Sequence, residues 1–182
     1  MLTDKKISVV IPCYNEEANI PALYERLSKT LSEITSSYEL LFADNNSRDR
    51  TRAILRELAQ KDNRVKVILF ARNFGNSQYG YSAGMEYATG DAVILMEADL
   101  QDSPEIIADF VKKWQEGFDV VYGIRPRSSG TLLSRLFRKT FYRLFNKLSY
   151  LEIPFDAGDF SLWDRKVVSA FNAMPERLRL IR

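Results

Sequence analysis

The sequence predicts an α/β fold, a mostly parallel sheet flanked by helices on both faces. Three observations support this prediction. Short apolar runs rich in β-branched residues alternate with segments whose leucines recur at helical spacing. The run at residues 92–96 is apolar throughout, as expected of a strand buried on both faces. Polar residues follow several of these runs directly, at the positions where such sheets bind ligands.

The strands are predicted from short runs of this kind that end at polar residues or glycine. The first is ended by Pro12, because proline lacks the N–H that a strand ladder uses. The five predicted strands lie at residues 7–11, 39–43, 65–70, 92–96 and 119–123.

The helices are predicted between these strands. Residues 15–19 supply capping side chains for the first, and a glycine-punctuated segment at residues 75–88 is read as the third. Ser103, Pro104 and Glu105 open the fourth with a cap, a proline at the first position and an acid in the first turn. The first two helices are marked by leucine and isoleucine at helical spacing: Leu23, Leu27, Leu31, Ile54, Leu55 and Leu58.

Composition excludes several kinds of site. The 182 residues include one cysteine, Cys13, and no histidine. A disulfide framework, Cys/His zinc sites and histidine-dependent catalytic triads are therefore ruled out. A catalytic metal must have oxygen ligands, which favours Mg²⁺ or Mn²⁺. No apolar run resembles a signal peptide or approaches the roughly 18 residues of a membrane span, so a cytoplasmic location is expected.

Charge is unevenly distributed along the chain. The net charge is +2, yet residues 123–151 hold seven basic residues and no acid, which leaves −5 on the remainder. Residues 131–148 form a basic amphipathic helix in this interpretation, with leucine and phenylalanine on one stripe. Such a helix suits an anionic membrane surface. The alternative is a helix packed in the core with a solvated basic face.

The most informative motif is Glu97-Ala98-Asp99-Leu100-Gln101-Asp102, directly after the fourth strand. Alternation of side chains puts Glu97 and Asp99 on one side of the chain. Such a pair can chelate a divalent metal that bridges a substrate diphosphate. The alternative is a solvated acidic loop that caps the next helix.

Two further segments follow strands. At residues 44–51, Asp44 is placed to accept a hydrogen bond from a nucleoside, with little packing to lose if it is removed. Ser47 or Asp49 could equally cap the next helix. At residues 12–16, Tyr14 is placed to stack on a base, whereas the alternative is a plain strand-to-helix turn. A glycine precedes the acid in residues 158–160, which alone would indicate another turn.

Together these segments resemble the family 2 glycosyltransferases, which have the GT-A fold, and within them the polyisoprenyl-phosphate hexose transferases of the dolichyl-phosphate mannose synthase group. The matching segments, in order, are residues 9–16, 44–51, 72–75, 97–105, 158–165 and 179–182. The chain departs from the usual pattern at three positions. Glu97 stands where the family's metal-binding motif usually has its first Asp. Asn45 stands where the family usually has a second acid after Asp44, and Ser161 stands where an Arg is common.

The resemblance implies one domain over residues 1–182, without the membrane region that often follows in relatives. It implies metal ligands among Glu97, Asp99 and Gln101. Asp159, Arg125 and Arg182 would be catalytic; Asp159 would orient the acceptor or sugar, and Arg125 with Lys139 would add positive charge. The substrate-binding residues it implies are Pro12, Tyr14, Asn15, Glu16, Asp44, Ser47, Ala98 and Lys139.

The activity implied is inverting transfer of a hexose from a nucleotide diphosphate sugar, UDP-linked rather than GDP-linked, to a polyprenyl phosphate. The expected setting is the inner face of the membrane, with anionic lipid and possible homo-oligomers as partners and no nucleic acid. One alternative is a sugar hydroxyl acceptor, which needs a general base, with Asp159 as the candidate. Another is a catalytically weak nucleotide-binding or membrane-docking module.

Overall fold

The computed structural model describes residues 1–124 and 157–176. The chain forms two compact units, one of Met1–Tyr122 with Asp159–Arg182 and one of Gly123–Gly158. The elements in chain order are β1 (Ile7–Cys13), α1 (Ile20–Ile34), β2 (Tyr38–Asp44), α2 (Thr51–Lys61), β3 (Val65–Leu69), α3 (Gln78–Tyr87), β4 (Ala92–Leu95), a 3-10 turn (Pro104–Ile106), α4 (Ile107–Gln115), β5 (Val120–Ile124), β6 (Ala157–Asp164) and α5 (Arg165–Asn172). The single-domain organisation predicted for residues 1–182 stays a prediction.

The sheet has six strands in the order β3-β2-β1-β4-β6-β5. The β1–β2, β2–β3 and β1–β4 pairs are parallel, whereas β6 runs antiparallel to β4. After β3 the chain returns past β1 to form β4, so the strand order reverses between β1 and β4. Ligands of open α/β sheets bind beyond the carboxyl ends of the strands at such a reversal.

Helices cover both faces of the sheet, as predicted. One apolar cluster joins α1, α2 and α4 to one face, and a second joins α3 and α5 to the other. Leu23, Leu27 and Leu31 of α1 are fully buried. Burial of each such side chain stabilises the fold by about 1.5–3 kcal/mol relative to an exposed position, which explains why leucines at helical spacing mark the buried face of α1.

The prediction that Pro12 ends β1 is wrong, because the strand continues to Cys13. Val10 accepts a hydrogen bond from Met96 on the β4 side, and Cys13 accepts one from Asn45 on the β2 side. Alternation therefore turns the Pro12 nitrogen toward β4. The β1–β4 ladder has already ended at Val10 and Leu95, so the missing N–H of proline costs no ladder bond.

Residues 158–160 lie in β6, not in a turn. Phe160 and Leu162 pack into one apolar cluster, while Trp163 packs against the other. This alternation is that of a strand between two layers. A glycine and an acid at its start concealed the pattern in the sequence.

Helix α3 approaches β1 closely because two of its residues lack a side chain. A Cβ added to Gly80 would lie 2.8 Å from the Cβ of Pro12, and one on Gly84 would overlap Val10. The helix thus lies directly against the central strand. In residues 1–124 and 157–176, no helix combines the length and apolar character needed to cross a membrane.

Candidate active site

The acid pair lies at the reversal of strand order. Glu97 and Asp99 follow β4 and are both partly exposed, whereas Ala98 between them is buried. Leu100 adopts a left-handed conformation with φ of 60°, and the Gln101 backbone N–H donates to Asp99 Oδ1 at 3.0 Å. The predicted arrangement, with both acids on one side of the chain, agrees with this burial pattern.

A third carboxylate reaches the same place from far along the chain. The antiparallel register pairs Leu95 with Ser161, so Glu97 and Asp159 each lie two residues beyond the end of the β4–β6 ladder, at the same edge of the sheet. The charge of Asp159 accordingly contributes to raising the pKa of Glu97. The fold brings together three acids that the sequence assigned separately to metal binding and to catalysis.

The described surroundings of Glu97 disfavour its charged form. Burial raises its pKa, the hydroxyls of Ser77 and Tyr81 lower it, and the charges of Asp159 and Asp99 raise it again, with a net increase. Burial and like charges both disfavour the ionised form of a carboxyl group. A cation between these carboxylates would relieve the repulsion.

The carboxylates of Glu97 and Asp99 are suited to hold a divalent metal together with the phosphate oxygens of a bound substrate. Among the described residues, no group of three or more His, Cys, Asp or Glu side chains is arranged to hold a metal ion. Mg²⁺ and Mn²⁺ sites with substrate phosphates use only one or two protein carboxylates, and Glu97 and Asp99 supply two. Gln101 is exposed, and its contact with Asp99 is made by the backbone.

Asp44 lies at the end of β2 but is not a loosely packed cleft residue. Its side chain is fully buried, with Oδ2 at 2.8 Å from Arg52 Nε. Both carboxylate oxygens also accept from the Ser47 backbone N–H, at 3.2 and 3.3 Å. The expectation that Asp44 has little packing to lose is therefore wrong.

The loops that follow β1 and β2 are fastened to each other. The Asn15 N–H donates to Ser47 Oγ at 2.9 Å, and the Arg48 N–H donates back to Asn15 Oδ1 at 2.8 Å. The Glu16 N–H donates to Thr51 Oγ1 at 2.8 Å. The side chains of Asn15 and Ser47 thus hold the two loops together through contacts within the protein.

Tyr14 and Glu16 face more open surroundings in the same loop. Tyr14 is 40% exposed, which leaves a ring face for stacking. Glu16 is half-buried and accepts from the Asn19 side chain at 2.7 Å. Pro12 is buried beneath them. Of the residues predicted to bind a nucleoside, Tyr14 is the one whose side chain is most available.

The departure at Asn45 has a structural reason. Its Nδ2 donates to Asn73 Oδ1 at 3.2 Å, and its Oδ1 accepts from the Phe74 N–H at 2.9 Å. An aspartate could accept but not donate, so only the amide makes both bonds. Asn45 thus ties the 72–75 loop to the edge of the candidate pocket.

Sequence reasoning missed Arg52, Ser77 and Tyr81. Arg52 pairs with Asp44 and also donates to the Phe70 carbonyl at 2.8 Å, so it links β2, α2 and the end of β3. Arg52 and Tyr81 lie on helices and Ser77 directly precedes α3, and no local motif marks any of the three. Arg125, Lys139, Arg182 and the predicted helix at 131–148 lie outside the described residues, so their roles stay predictions.

Comparisons with known proteins identify the family of this chain. The profile described as glycosyl transferase family 2 matches residues 8–171. A prophage bactoprenol glucosyl transferase homolog of Escherichia coli K12 is 41% identical over 175 residues, which cover 94% of this chain and 56% of the relative. An uncharacterized glycosyltransferase of Bacillus subtilis, YkcC, is 43% identical over 176 residues, 96% of this chain and 54% of the relative. The chain spans about half the length of these curated relatives.

Solved structures confirm the GT-A fold. TarS of S. aureus in complex with UDP-GlcNAc superposes with a TM-score of 0.60 at 21% identity, over 91% of this chain and 47% of that one. Glucosyl-3-phosphoglycerate synthase of Mycobacterium tuberculosis, solved with Mn²⁺, UDP-glucose and phosphoglyceric acid, gives a TM-score of 0.63 at 21% identity, over 90% of this chain and 58% of that one. The fold, the order of the acidic segments and the profile match over most of the chain lead to one conclusion: this chain belongs to glycosyl transferase family 2.

Proposed function

We propose that this chain binds the donor and carries out the transfer in an inverting enzyme that moves a hexose from a UDP-sugar to a polyprenyl phosphate. The observation that supports it most is the cluster of Glu97, Asp99 and Asp159 at the strand reversal, beside a pocket shaped by the β1 and β2 loops. The relative named as a bactoprenol glucosyl transferase homolog supports the acceptor class, and the neighbours solved with UDP-sugars support the donor class.

In this proposal the nucleoside lies over the β1 and β2 loops. Tyr14 stacks on the base, while Glu16 and Asp44 hold the nucleoside, Asp44 through its position beside Arg52. Glu97 and Asp99 hold Mg²⁺ or Mn²⁺ against the diphosphate. The metal, when bound, neutralises charge that develops on the leaving diphosphate.

The acceptor determines what Asp159 has to do. A phosphate monoester is already anionic near neutral pH, so attack on the sugar needs no general base. Asp159 then orients the sugar or the acceptor. Arg125 and Lys139 add positive charge, and Arg182 belongs to the acceptor side. With a sugar hydroxyl as acceptor, Asp159 would instead have to remove a proton.

The test is transfer from radiolabelled UDP-glucose to undecaprenyl phosphate in detergent with Mn²⁺, followed by extraction of labelled lipid. Undecaprenol, which lacks only the phosphate, is the matched control and should accept no sugar. Asp159→Asn should keep a measurable rate without a new pH dependence, because no base is required. Transfer to undecaprenol or a soluble sugar, or loss of all activity in Asp159→Asn, would contradict the phosphate-acceptor proposal.

The proposed membrane contact rests on the basic segment at residues 123–151. Binding to vesicles should rise with the fraction of anionic lipid and fall with added salt, since salt screens exposed charges. Replacing Arg135, Arg138 and Arg143 with Glu should remove this binding while donor hydrolysis continues. A wild-type chain that ignores anionic vesicles at low salt would argue for the core-packed alternative.

A further inference from the structure

Ser161 is a buried polar residue in an apolar stretch of β6. Its side chain is 4% exposed, and its neighbours Phe160 and Leu162 belong to the apolar cluster on the other face of the sheet. Burial of a hydroxyl costs free energy unless the group is hydrogen-bonded, and alanine would avoid that cost. The proposed reaction assigns this hydroxyl no role, so its contacts call for an explanation.

The hydroxyl is the middle group of a chain of two hydrogen bonds. The Trp163 indole N–H donates to Ser161 Oγ at 3.0 Å, and the Ser161 hydroxyl donates to the backbone carbonyl of Asp159 at 3.0 Å. An indole nitrogen can only donate and a carbonyl can only accept, so the direction of both bonds is fixed. Linked hydrogen bonds polarise and strengthen one another.

The three residues are aligned because they alternate along one strand. Side chains two positions apart point to the same face of a strand, so Asp159, Ser161 and Trp163 share a face. Trp163 anchors one end of this row. Its ring packs edge-to-face against that of Phe171 in α5, with centroids 5.6 Å apart and an interplanar angle of 88°, and Phe171 is itself buried.

Asp159, at the other end of the row, lies beyond the part of β6 that β4 holds. The β4–β6 ladder ends at Ser161, two residues away. The chain re-enters its first compact unit at Asp159. The bond from Ser161 holds the carbonyl of Asp159 and therefore the orientation of the backbone from which the Asp159 side chain extends.

We propose that Ser161, supported by Trp163, is a positioning residue that holds Asp159 in place for the sugar or the acceptor. A group that orients a reacting partner depends strongly on its position, since a displacement of about 1 Å can cost about 100-fold in rate. The hydrogen bond to the backbone fixes this position and leaves the carboxylate to act on the substrate. The inference rests on the proposed function, because Asp159 has that task only in the proposed reaction.

The first test concerns the contact itself and needs no substrate. The chain has two tryptophans, so its NMR spectrum should show two indole N–H signals. Ser161→Ala should shift the Trp163 signal and speed its exchange with solvent, because the N–H loses its acceptor. The Trp114 signal should not move, because that N–H donates to Asp164 at 2.7 Å. A Trp163 signal that is unchanged in Ser161→Ala would overturn the contact.

The second test separates positioning from packing. Ser161→Ala should lower kcat for transfer from UDP-glucose to undecaprenyl phosphate by about 10-fold, near the upper limit for one ordinary hydrogen bond. Affinity for UDP should not change, because UDP lacks the transferred sugar. Ser161→Thr keeps the hydroxyl on a residue that strands favour and should restore kcat. Ser169→Ala, at an exposed position of α5, is the matched control and should behave as wild type.

A double-mutant cycle shows whether Ser161 acts through Asp159. In the Asp159→Asn background, Ser161→Ala should lower kcat by a smaller factor than in wild type, because the carboxylate that it positions is gone. Equal factors in both backgrounds would mean that the hydroxyl supports the fold in general, which would overturn the positioning role.

The outcomes distinguish the two proposals. Transfer by the wild-type chain with an unchanged kcat in Ser161→Ala would overturn the positioning role and leave the proposed function intact. A wild-type chain that transfers no sugar, although the indole signal reports the contact, would overturn the proposed function and the positioning role with it.

Discussion

Two glutamates at opposite ends of the sheet, Glu39 buried and Glu97 partly exposed, have opposite surroundings. Glu39, near the start of β2, accepts from Ser8 Oγ at 2.7 Å and from the Thr89 N–H and hydroxyl at 2.7 and 2.9 Å. Lys66 and Lys6 lie 2.6 and 3.3 Å from its other oxygen. Burial alone would raise its pKa, but the hydrogen bonds outweigh burial and lower the pKa to about 2.

Glu97 lies beyond the carboxyl end of β4. Burial raises its pKa, and the charges of Asp159 and Asp99 raise it further. Lysines and hydroxyls of the described residues pair with Glu39 at the amino end of the sheet, whereas the charges of Asp159 and Asp99 raise the pKa of Glu97 at the carboxyl end. Their partners, and not burial alone, distinguish the two glutamates.

The largest expected effect on donor binding comes from a substitution at the carboxyl end of the sheet. Asp99→Ala should remove metal-dependent binding of UDP-glucose, a loss of at least about 100-fold by titration calorimetry in Mn²⁺, because the diphosphate charge is left uncompensated. The melting temperature should change little, since Asp99 is partly exposed. Asp109→Ala on α4 is the control, as that acid is exposed and pairs only with Lys112 in the described structure. Unchanged donor affinity in Asp99→Ala would refute the metal-ligand assignment.

A substitution of Glu39, at the amino end of the sheet, should change the stability of the fold and not the affinity for the donor. Glu39→Gln should lower the free energy of unfolding at pH 7 by about 3 kcal/mol, the linkage value of a pKa held near 2 against an ordinary 4.5. Because the folded pKa is depressed, this contribution is complete above pH 4.5 and disappears as the pH falls toward 2. Urea unfolding of wild type and variant should therefore converge over that window.

Two features keep this measurement specific. Asp62 also has a pKa lowered to about 2, mainly through its hydrogen bonds with Arg64, but it is present in both proteins and cancels in the difference. Glu33→Gln on the exposed side of α1 should show no such pH dependence. Parallel pH profiles for wild type and Glu39→Gln would mean that the lysine and hydroxyl contacts add no net stability.

A substitution of Asp44 should lower both donor affinity and stability, because this residue lies at the carboxyl end of the sheet and is also paired with Arg52. Asp44→Ala should weaken UDP binding by about 1–3 kcal/mol, the range for a hydrogen bond to a charged group. It should also destabilise the fold, since Arg52 loses its buried partner. Nucleotide titration and urea unfolding of the same variant check the two effects. A loss of stability with unchanged UDP affinity would make Asp44 purely structural.

The smallest effect on stability and donor affinity is expected from removing a hydrogen bond between the β1 and β2 loops. Ser47→Ala leaves the Asn15 N–H without its acceptor and should cost about 1 kcal/mol of unfolding free energy. Donor affinity should fall modestly, because the pocket wall loosens. Ser36→Ala, at an exposed position, is the control. A drop in UDP affinity larger than that of Asp44→Ala would instead place the Ser47 hydroxyl in direct contact with the nucleoside.

The sequence by itself determined the alternation of strands and helices and the positions of the acid motifs. These features depend on neighbours along the chain: apolar spacing, caps and turn residues. Leu23, Leu27 and Leu31 are buried as their spacing predicts, and Glu97 and Asp99 follow β4 as their motif predicts. The resemblance to family 2 glycosyltransferases rested on the same local segments.

Only the tertiary structure decided which of those residues meet and how each is paired. The antiparallel run of β6 brings the charge of Asp159 close enough to Glu97 to raise the pKa of that carboxyl group, and two glycines let α3 lie directly against β1. Asp44 was expected to be an open residue of the binding site, but it is buried and forms an ion pair with Arg52. Such pairings join residues far apart in the chain, and their energy depends on distance and burial, which spacing along a sequence does not encode.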